Sequence, residues 1–411
     1  MEFIISPKNG YWGLAKDELS RNCLLQKLEQ RPLMEGNYKG IQVIALNSTA
    51  ACNLGCIYCS TAKKRRYENM PFETAKQMVD LSRELEHTPQ ILFHGSEPLI
   101  NFDLIKRTVL YEKSTRDEKN KRLEFCVQSN LTLLSPEIVQ FFKENNVAVS
   151  TSLDGREEEH NFNRPYLDGR GSYQKVVQNI SEILKFQKGM CAVCVTTSKN
   201  VNSLSEITID FEKRGITEVQ FLPAIPTSSE KCEFLPSNED LSKEYIRLFE
   251  QTIQRTQMGE QRIAVKCLSQ YLSDLFFNTG IDSCRMCTPS QYHPLLAVDM
   301  RGDVYPCDLF WGDKTVRIGN IFQGSLVSMV NSKNSLRKQP IETTACSPCD
   351  WRKICGGGCM ADRNSSKPNK PHYCETHKKV FEYISGNLQK WIQDETIKKI
   401  FEQEKRSGRL T

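Results

Sequence analysis

Three cysteines in a short loop constrain this chain more than any other feature. Cys52, Cys56 and Cys59 are spaced C-x3-C-x2-C and follow an apolar run at 43–46. Three thiolates can bind three irons of a cubane [4Fe–4S] cluster and leave the fourth iron open to a small molecule. A zinc site would need a fourth ligand at short range, and no further cysteine or histidine lies between Cys59 and His87. The spacing therefore favours an iron–sulfur cluster with one open iron.

The C-x3-C-x2-C spacing resembles the signature loop of the radical S-adenosylmethionine (radical SAM) superfamily. The resemblance implies that the amino and carboxylate groups of S-adenosylmethionine chelate the open iron. It also implies that one electron from the cluster cleaves the sulfonium to give a 5′-deoxyadenosyl radical. Tyr58, inside the loop, is expected to contact this cofactor.

Strand-like and helix-like runs alternate between residue 41 and about residue 222. Strands are predicted at 41–46, 90–93, 123–127, 147–152, 191–196 and 218–222. Six strands that alternate with helices predict an α/β fold with a parallel sheet, in which ligands gather at the carboxyl ends of the strands. The cysteine loop follows the first strand and so lies at that edge. The family resemblance makes the sheet a partial (β/α)6 barrel of the TIM type.

The second strand ends in Gly95-Ser96-Glu97-Pro98, which resembles the Gly-Gly-Glu-Pro motif of the radical SAM family. In that motif the backbone and the glutamate bind the methionyl amino group. Glycine lets a backbone approach a ligand, and a carboxylate pairs with an ammonium group. Ser96 stands where the family has its second glycine, which is a departure from the pattern.

Polar residues also follow the third and fourth strands, as Gln128-Ser129-Asn130 and Ser152-Leu153-Asp154-Gly155. Similar segments in the related sulfatase maturases contact S-adenosylmethionine, although a simple turn explains Asp154-Gly155 equally well. The resemblance implies these cofactor-binding residues: Tyr58, Gly95, Ser96, Glu97, Gln128, Asn130, Ser152, Asp154 and Arg164.

Composition excludes several other classes of protein. Of the 411 residues 39% are apolar and 26% charged, as in ordinary globular proteins, and the net charge of +5 is too small to indicate nucleic-acid binding. No apolar run is long enough for a membrane helix, and the N-terminus lacks the features of a signal peptide. The protein is expected in the cytosol, where seventeen cysteines indicate metal or redox chemistry rather than disulfides.

Eight of the cysteines lie between residues 284 and 374. Cys287-x14-Gly302-x4-Cys307 is followed by C-x2-C-x5-C-x3-C-x14-C from Cys346 to Cys374. This order matches the seven-cysteine SPASM pattern found behind radical SAM domains that modify peptides and proteins. A pair of zinc ribbons is the alternative. Carried over from the family, auxiliary cluster I takes Cys284, Cys287, Cys307 and Cys359, and auxiliary cluster II takes Cys346, Cys349, Cys355 and Cys374. Cys267 is the rival of Cys284.

Asp308 directly follows Cys307. In anaerobic sulfatase-maturating enzymes the aspartate at this place accepts the proton released as the substrate is oxidised, so the resemblance implies that Asp308 is a catalytic base. A surface carboxylate or a helix cap explains it equally well. Against the sulfatase reading, the cysteine loop continues with Ser60-Thr61, where the maturases carry an aromatic pair.

The predicted organisation has five parts. They are an N-terminal cap segment (1–40), a radical SAM core (41–238), a bridging helical segment (239–280), a SPASM domain (281–378) and a C-terminal helix with a tail (379–411). The expected cofactors are S-adenosylmethionine and three [4Fe–4S] clusters.

The expected function is oxidation or cross-linking of a ribosomally made precursor peptide, with a flavodoxin or ferredoxin as electron donor. The alternative is oxidation of a sulfatase Cys or Ser to formylglycine. An RNA-modifying enzyme would show a basic stripe, which this chain lacks. An iron–sulfur electron carrier would need neither an open iron nor polar strand ends. No membrane partner is expected.

The eleven patterned cysteines predict the iron content. Protein reconstituted without oxygen should hold about twelve irons, four for each cubane cluster. Replacing Cys52, Cys56 and Cys59 together by Ala should remove about four of them and abolish cleavage of S-adenosylmethionine. An iron assay and chromatography of 5′-deoxyadenosine measure both. The control is Cys23→Ala, which lies outside both patterns and should change neither, and unchanged iron in the triple variant would refute the assignment.

Overall fold

The structure is a computed structural model of the whole chain. It describes residues 2–5, 12–30, 40–59, 68–116, 122–226, 233–277, 295–330, 346, 348–365 and 370–407. The strands are β1 (Glu2–Ile5), β2 (Trp12–Ala15), β3 (Val43–Asn47), β4 (Gln90–His94), β5 (Glu124–Ser129), β6 (Ala148–Ser152), β7 (Cys191–Thr196), β8 (Glu218–Pro223), β9 (Ala264–Val265), β10 (Leu295–Val298), β11 (Asp303–Tyr305) and β12 (Gly319–Asn320).

Helices lie between most of these strands. They are α1 (Glu18–Gln30), α2 (Phe72–Arg83), α3 (Phe102–Ser114), α4 (Pro136–Asn145), α5 (Glu157–Asn163), α6 (Tyr173–Leu184), α7 (Leu204–Lys213), α8 (Asn238–Met258), α9 (Lys266–Phe277), α10 (Leu326–Val330), α11 (Arg352–Cys355), α12 (Met360–Ser365), α13 (Cys374–Gln393) and α14 (Thr396–Ser407). Among those described, no helix combines the length and the apolarity that a membrane span requires.

The chain divides into two compact units. The first, called the sheet unit, contains residues 37–194 and 292–339. The second, called the helical unit, contains residues 1–36, 195–291 and 340–411.

The sheet unit is built on strands in the order β12-β11-β10-β3-β4-β5-β6-β7. Neighbours from β10 to β7 run parallel, whereas β10, β11 and β12 pair antiparallel. Asn47 and His94, the last residues of β3 and β4, lie opposite each other in register, and Ser129 at the end of β5 pairs with Thr151 in β6. The segments that follow these four strands therefore leave from one edge of the sheet.

The core of the sheet unit joins strand and helix side chains. Those that are fully buried include Ile44, Phe93, Val127 and Val149 from the strands, and Met78, Ile105, Phe142 and Ile180 from the helices. Burial of each such side chain contributes roughly 1.5–3 kcal/mol. The packed core gives the strand ends a rigid support.

The helical unit is organised around α8, which packs against α13 and α14. The helix begins at Ser237, whose Oγ accepts a hydrogen bond from the Asp240 N–H (3.0 Å), and ends at Gly259 with φ of 74°. Its buried face carries Leu241, Tyr245, Leu248 and Phe249. In the same unit β8 pairs parallel with β9, and β1 pairs antiparallel with β2.

The α/β class and the parallel sheet agree with the sequence prediction, and each predicted strand is present with ends that differ by at most two residues. The prediction for the C-terminal end was wrong. It gave one helix and a frayed charged tail, whereas the structure has a second helix, α14, after Glu395 with φ of 58°. Ile397 and Ile400, three residues apart, are buried on one face of α14. Although α14 carries many charged residues, it is therefore an amphipathic helix.

Helix α4 begins with Pro136 at its first position, and the Ser135 Oγ accepts a hydrogen bond from the Ile138 N–H (3.3 Å). Ser135→Ala should lower the free energy of unfolding by about 0.5–2 kcal/mol, because that N–H loses its partner. Urea denaturation measures the change. The control is Ser181→Ala in α6, whose Oγ bonds back to the Val177 carbonyl within the helix and whose loss should be close to neutral. Equal effects of the two substitutions would contradict the capping role.

Candidate active site

The cysteine loop is held to the sheet unit by main-chain hydrogen bonds. The Gly55 N–H donates to the Pro165 carbonyl (2.7 Å), and the Ile57 N–H donates to the Asn163 carbonyl (3.1 Å). Leu54 forms an isolated β-bridge with Tyr166. The end of α5 and the segment after it therefore support the loop between Cys52 and Cys59.

Asn53 ties the same loop to the end of β5. Its Nδ2 donates to the Thr132 Oγ1 (2.7 Å), and its Oδ1 accepts from the Asn130 Nδ2 (3.0 Å). The Asn130 Oδ1 in turn accepts from the N–H and Oγ1 of Thr132. Both ends of the Asn130 amide are therefore engaged inside the protein, and its predicted contact with the cofactor stays a prediction. The sequence analysis gave Asn53 no role, although an amide side chain inside the cysteine loop was a usable signal.

Tyr58, Asp154 and Arg164 form one buried polar cluster beside the loop. The Tyr58 hydroxyl donates to the Asp154 Oδ2 (2.5 Å), and the Arg164 Nε lies 2.8 Å from the same oxygen. The Arg164 Nη1 lies 3.9 Å from the Cys56 Sγ, and the guanidinium lies 5.4 Å from the centre of the Tyr58 ring. The structure thus brings three predicted cofactor residues together against a predicted cluster ligand.

The electrostatics of this cluster depend on burial. Burial raises the pKa of the Cys56 thiol to about 12, and the Arg164 guanidinium opposes that shift. Burial also lowers the pKa of Arg164, but Asp154, Tyr58 and Cys56 together outweigh burial, so the pKa is raised and the guanidinium stays charged. A fixed positive charge beside a sulfur favours the thiolate form that binds metal. The Arg164 guanidinium therefore offsets part of the cost that burial places on the thiolate form of Cys56.

The cysteine loop is the part of the site that can hold an iron–sulfur cluster. Each cysteine ligand of a cubane cluster binds a separate iron. The loop supplies three such thiols within eight residues, Cys52, Cys56 and Cys59.

The carboxylate of Glu97 is fully buried and joins the ends of β4 and β5. Its Oε1 accepts from the Leu99 N–H (3.0 Å) and the Ser129 Oγ (2.8 Å), and its Oε2 accepts from the Asn130 N–H (2.8 Å). The Glu97 N–H donates to the Ala51 carbonyl at the start of the cysteine loop (3.0 Å). Burial raises the pKa of Glu97, and the three donors oppose that rise. One acceptor position on Oε2 remains for a further donor.

Gly95 cannot be replaced without strain. Its φ is +115°, and a Cβ at this position would lie 2.3 Å from the Asn47 Oδ1. That Asn47 oxygen is buried, and no hydrogen-bond partner for it lies among the described residues. Ser96 does not have a positive φ, so a side chain is tolerated there. This explains the departure from the Gly-Gly pattern.

Gln128 holds two serines of the neighbouring strand. Its Nε2 donates to the Ser152 Oγ (3.0 Å), and its Oε1 accepts from the Ser150 Oγ (2.5 Å). Gln128 and Ser152 are both half-buried, so they combine a fixed position with access from the sheet edge. The predicted roles of both residues toward the cofactor stay predictions.

Asp308 lies in the turn after β11, and an imidazole faces it. Its Oδ2 is 3.7 Å from the Nδ1 of His94, the last residue of β4. The ring of Trp311 packs against the His94 ring at 5.8 Å between centroids. The sequence analysis gave His94 no role, although its position immediately before the Gly-Ser-Glu-Pro turn was a usable signal.

The helical unit brings together the cysteines predicted for auxiliary cluster II. Burial raises the pKa of Cys355 to about 12, and the nearby thiols of Cys374 and Cys346 add to the rise. The Cys349 N–H donates to the Cys346 carbonyl (3.1 Å), and the Cys349 thiol acts electrostatically on Lys378, just beyond Cys374. The four thiols therefore share one neighbourhood.

The other predicted auxiliary ligands are distributed differently. Cys307 is buried in the sheet unit, and Cys359 lies in the helical unit after Gly356, Gly357 and Gly358, which all have positive φ. Cys284 and Cys287 lie outside the described residues. Cys267, the rival of Cys284, is buried in α9, and burial raises its pKa to about 12. The ligand set of auxiliary cluster I stays a prediction.

Comparison with protein families decides the class. The model of the radical SAM superfamily matches residues 46–202, and that of the iron–sulfur cluster-binding SPASM domain matches residues 287–355. The chain is a radical SAM enzyme with a SPASM domain. Its cofactors are accordingly S-adenosylmethionine and iron–sulfur clusters.

Individual relatives agree with this class. The radical SAM enzyme is 26% identical over 361 residues to a cysteine-type anaerobic sulfatase-maturating enzyme of Clostridium perfringens, covering 83% of this chain and 95% of the relative. Its fold matches native anSMEcpe with bound AdoMet and Cp18Cys peptide, with a TM-score of 0.74, 23% identity and coverage of 86% and 99%. It also matches Streptococcus suis SuiB bound to precursor peptide SuiA, with a TM-score of 0.60, 15% identity and coverage of 88% and 80%.

Glu97 is expected to pair with the methionyl ammonium through its remaining acceptor position. A hydrogen bond to a charged group contributes roughly 1.5–3 kcal/mol. Glu97→Gln should therefore weaken S-adenosylmethionine binding by about one to two decades while the clusters remain. Equilibrium titration of the reconstituted protein measures it, with Glu124→Gln at the exposed start of β5 as the control. If Glu97→Gln binds the cofactor as tightly as the control does, the carboxylate only joins the strand ends.

Proposed function

We propose that this radical SAM enzyme oxidises or cross-links a residue of a ribosomally synthesised precursor peptide. The observation that carries the proposal is the sheet edge at which Cys56, Arg164 and Glu97 lie on segments that follow neighbouring strands, with Asp308 facing the end of β4. Such an edge offers a cofactor site and a proton acceptor side by side. The fold likeness to SuiB in complex with a precursor peptide supports a peptide substrate.

The cofactors are assigned to named residues as part of this proposal. Cys52, Cys56 and Cys59 hold the first of three [4Fe–4S] clusters, and the SPASM cysteines hold two more. S-adenosylmethionine lies against the residues at the strand ends, with Arg164 and Glu97 toward its carboxylate and ammonium groups. When bound, the cofactors supply an acceptor for one hydrogen atom and an acceptor for one electron.

The protein itself must supply the proton acceptor, which the cofactors do not provide. A substrate that loses two electrons and two hydrogens gives up one hydrogen atom, one electron and one proton. The proton needs a basic group beside the reacting carbon or heteroatom. Asp308 is proposed to take part in this proton removal, because its side chain is partly exposed and lies in the turn beside the predicted ligand Cys307.

The second candidate function is anaerobic sulfatase maturation, the conversion of a Cys or Ser to formylglycine. The likeness to the Clostridium perfringens sulfatase-maturating enzyme favours it. Both candidates need an external one-electron donor, for which a flavodoxin or ferredoxin is proposed. The deciding experiment incubates reduced enzyme with a Cys- or Ser-containing sulfatase peptide and, separately, with short peptides encoded near the gene. Mass loss on the sulfatase peptide alone would reject the first candidate.

Asp308→Asn should separate radical generation from product formation. A base that acts after hydrogen-atom abstraction is not needed to cleave S-adenosylmethionine, so 5′-deoxyadenosine should still form. Product should form at least about a hundredfold more slowly, the usual scale for loss of a general base. Chromatography and peptide mass spectrometry measure the two in the same sample.

The control for this variant is Asp313→Asn. Asp313 lies a few residues along the same turn, and among the described residues the donors to its carboxylate are the N–H and Oγ1 of Thr315. Iron content should be measured in both variants to exclude damage through Cys307. Product that stays coupled to 5′-deoxyadenosine in Asp308→Asn would exclude Asp308 from proton removal.

A further inference from the structure

The imidazole of His94 occupies a position that the proposed function has not yet used. His94 ends β4, directly before the Gly-Ser-Glu-Pro turn and opposite Asn47, from which the chain runs into the cysteine loop. Its main-chain carbonyl is held by the N–H of Ser48 (3.3 Å). The backbone is therefore fixed at the edge of the sheet at which the proposed cofactor site lies.

The two nitrogens of the His94 ring have different surroundings. Nδ1 is buried and lies 3.7 Å from the Asp308 Oδ2, and no hydrogen bond to it occurs among the described residues. The side chain as a whole is 27% exposed. Nε2 makes no hydrogen bond to a described residue, and it is not one of the buried atoms that lack a partner. The ring therefore turns one nitrogen to a carboxylate and leaves the other open.

The groups around the ring are well defined. Asp308, from the turn after β11, is the charged group within 4 Å of a His94 nitrogen among the described residues. Trp311, from the same turn, covers one side of the ring without charge. Glu97, three residues along, is buried and directs its oxygens to Leu99, Ser129 and Asn130. The Asp308 carboxylate and the Trp311 ring thus orient the imidazole.

We propose that His94 is the group that takes the proton from the peptide substrate, and that Asp308 acts through it as a positioning residue. The inference rests on the proposed function and deepens it. After one hydrogen atom has left the substrate, an acidified X–H bond breaks, its electron pair stays on the substrate, and a new N–H bond forms at Nε2. The Asp308 carboxylate offsets the positive charge on the imidazolium. The remaining electron goes to an iron–sulfur cluster, the acceptor that the enzyme class supplies.

Chemistry favours the imidazole over the carboxylate as the direct acceptor. Imidazole is the side chain whose protonation changes nearest to neutral pH, which suits a group that must take up and then release a proton in each cycle. The nearer Asp308 oxygen faces Nδ1, so the carboxylate is placed to fix the tautomer that leaves Nε2 bare. The arrangement of base and orienting acid is the one that nucleophilic and acid–base sites use in general.

The first test is the ratio of product to 5′-deoxyadenosine, which cancels effects on radical generation. His94→Gln keeps the size of the side chain but has no basic nitrogen, and it should lower the ratio at least about a hundredfold. Affinity for S-adenosylmethionine and iron content should not change. His87→Gln, on the exposed loop before the other end of β4, is the matched control and should leave the ratio unchanged. An unchanged ratio in His94→Gln would overturn the proposal.

The double variant tests the pair. If His94 and Asp308 act as one unit, His94→Gln with Asp308→Asn should be about as slow as the slower single variant, whereas the effects of independent groups would multiply. Effects that multiply would reject the pair.

A third readout does not depend on the peptide substrate. In reconstituted enzyme labelled with ¹⁵N-histidine, the neutral His94 ring should carry its proton on Nδ1, toward Asp308. Asp308→Asn should shift the ring toward a mixture of tautomers. A ring protonated on Nε2 in the unmodified enzyme would refute the proposal even if neither candidate peptide is a substrate. Absence of product from the unmodified enzyme with both peptides would instead count against the proposed function.

Discussion

The buried carboxylate of Glu97 is the interaction on which the arrangement of this site depends. A charge removed from water is costly unless hydrogen bonds replace its hydration, and Glu97 receives such bonds from Leu99, Ser129 and Asn130. These donors lie on segments that follow two different strands. Through its own N–H the same residue holds Ala51, at the start of the cysteine loop. Loss of the carboxylate would leave buried donors unpaired at both strand ends.

The pair of Asp154 and Arg164 adds a second constraint from the other side of the loop. Buried ion pairs contribute little net stability, because desolvation offsets their attraction, but they fix geometry where each charge has only one arrangement that satisfies it. Here the Asp154 carboxylate accepts from Tyr58 within the loop, and the guanidinium lies against Cys56. The loop is thus held between a carboxylate on the β4 side and an ion pair on the β6 side.

Much of this was readable from the sequence, because period and spacing are local properties. Alternation of apolar runs gave the strands, and C-x3-C-x2-C gave the loop after the first of them. What the sequence could not show were the partners of each polar group. Glu97 and Asp154 were expected to face a cofactor, yet Glu97 accepts three hydrogen bonds and Asp154 binds Tyr58 and Arg164 inside the protein. The contact of His94 with Asp308 joins residues more than two hundred positions apart, and no spacing rule predicts it.

The two candidate substrates make the same demand on this edge of the sheet. A precursor peptide that is oxidised or cross-linked and a sulfatase residue that becomes formylglycine each lose a hydrogen atom, an electron and a proton. A base beside the reacting bond serves both, so Asp308 and His94 do not distinguish them. Selectivity between the two must come from contacts with the peptide on either side of the modified residue, since the residue itself offers few atoms to recognise. Under the proposed roles, the strand ends carry out the reaction and a separate set of contacts chooses the substrate.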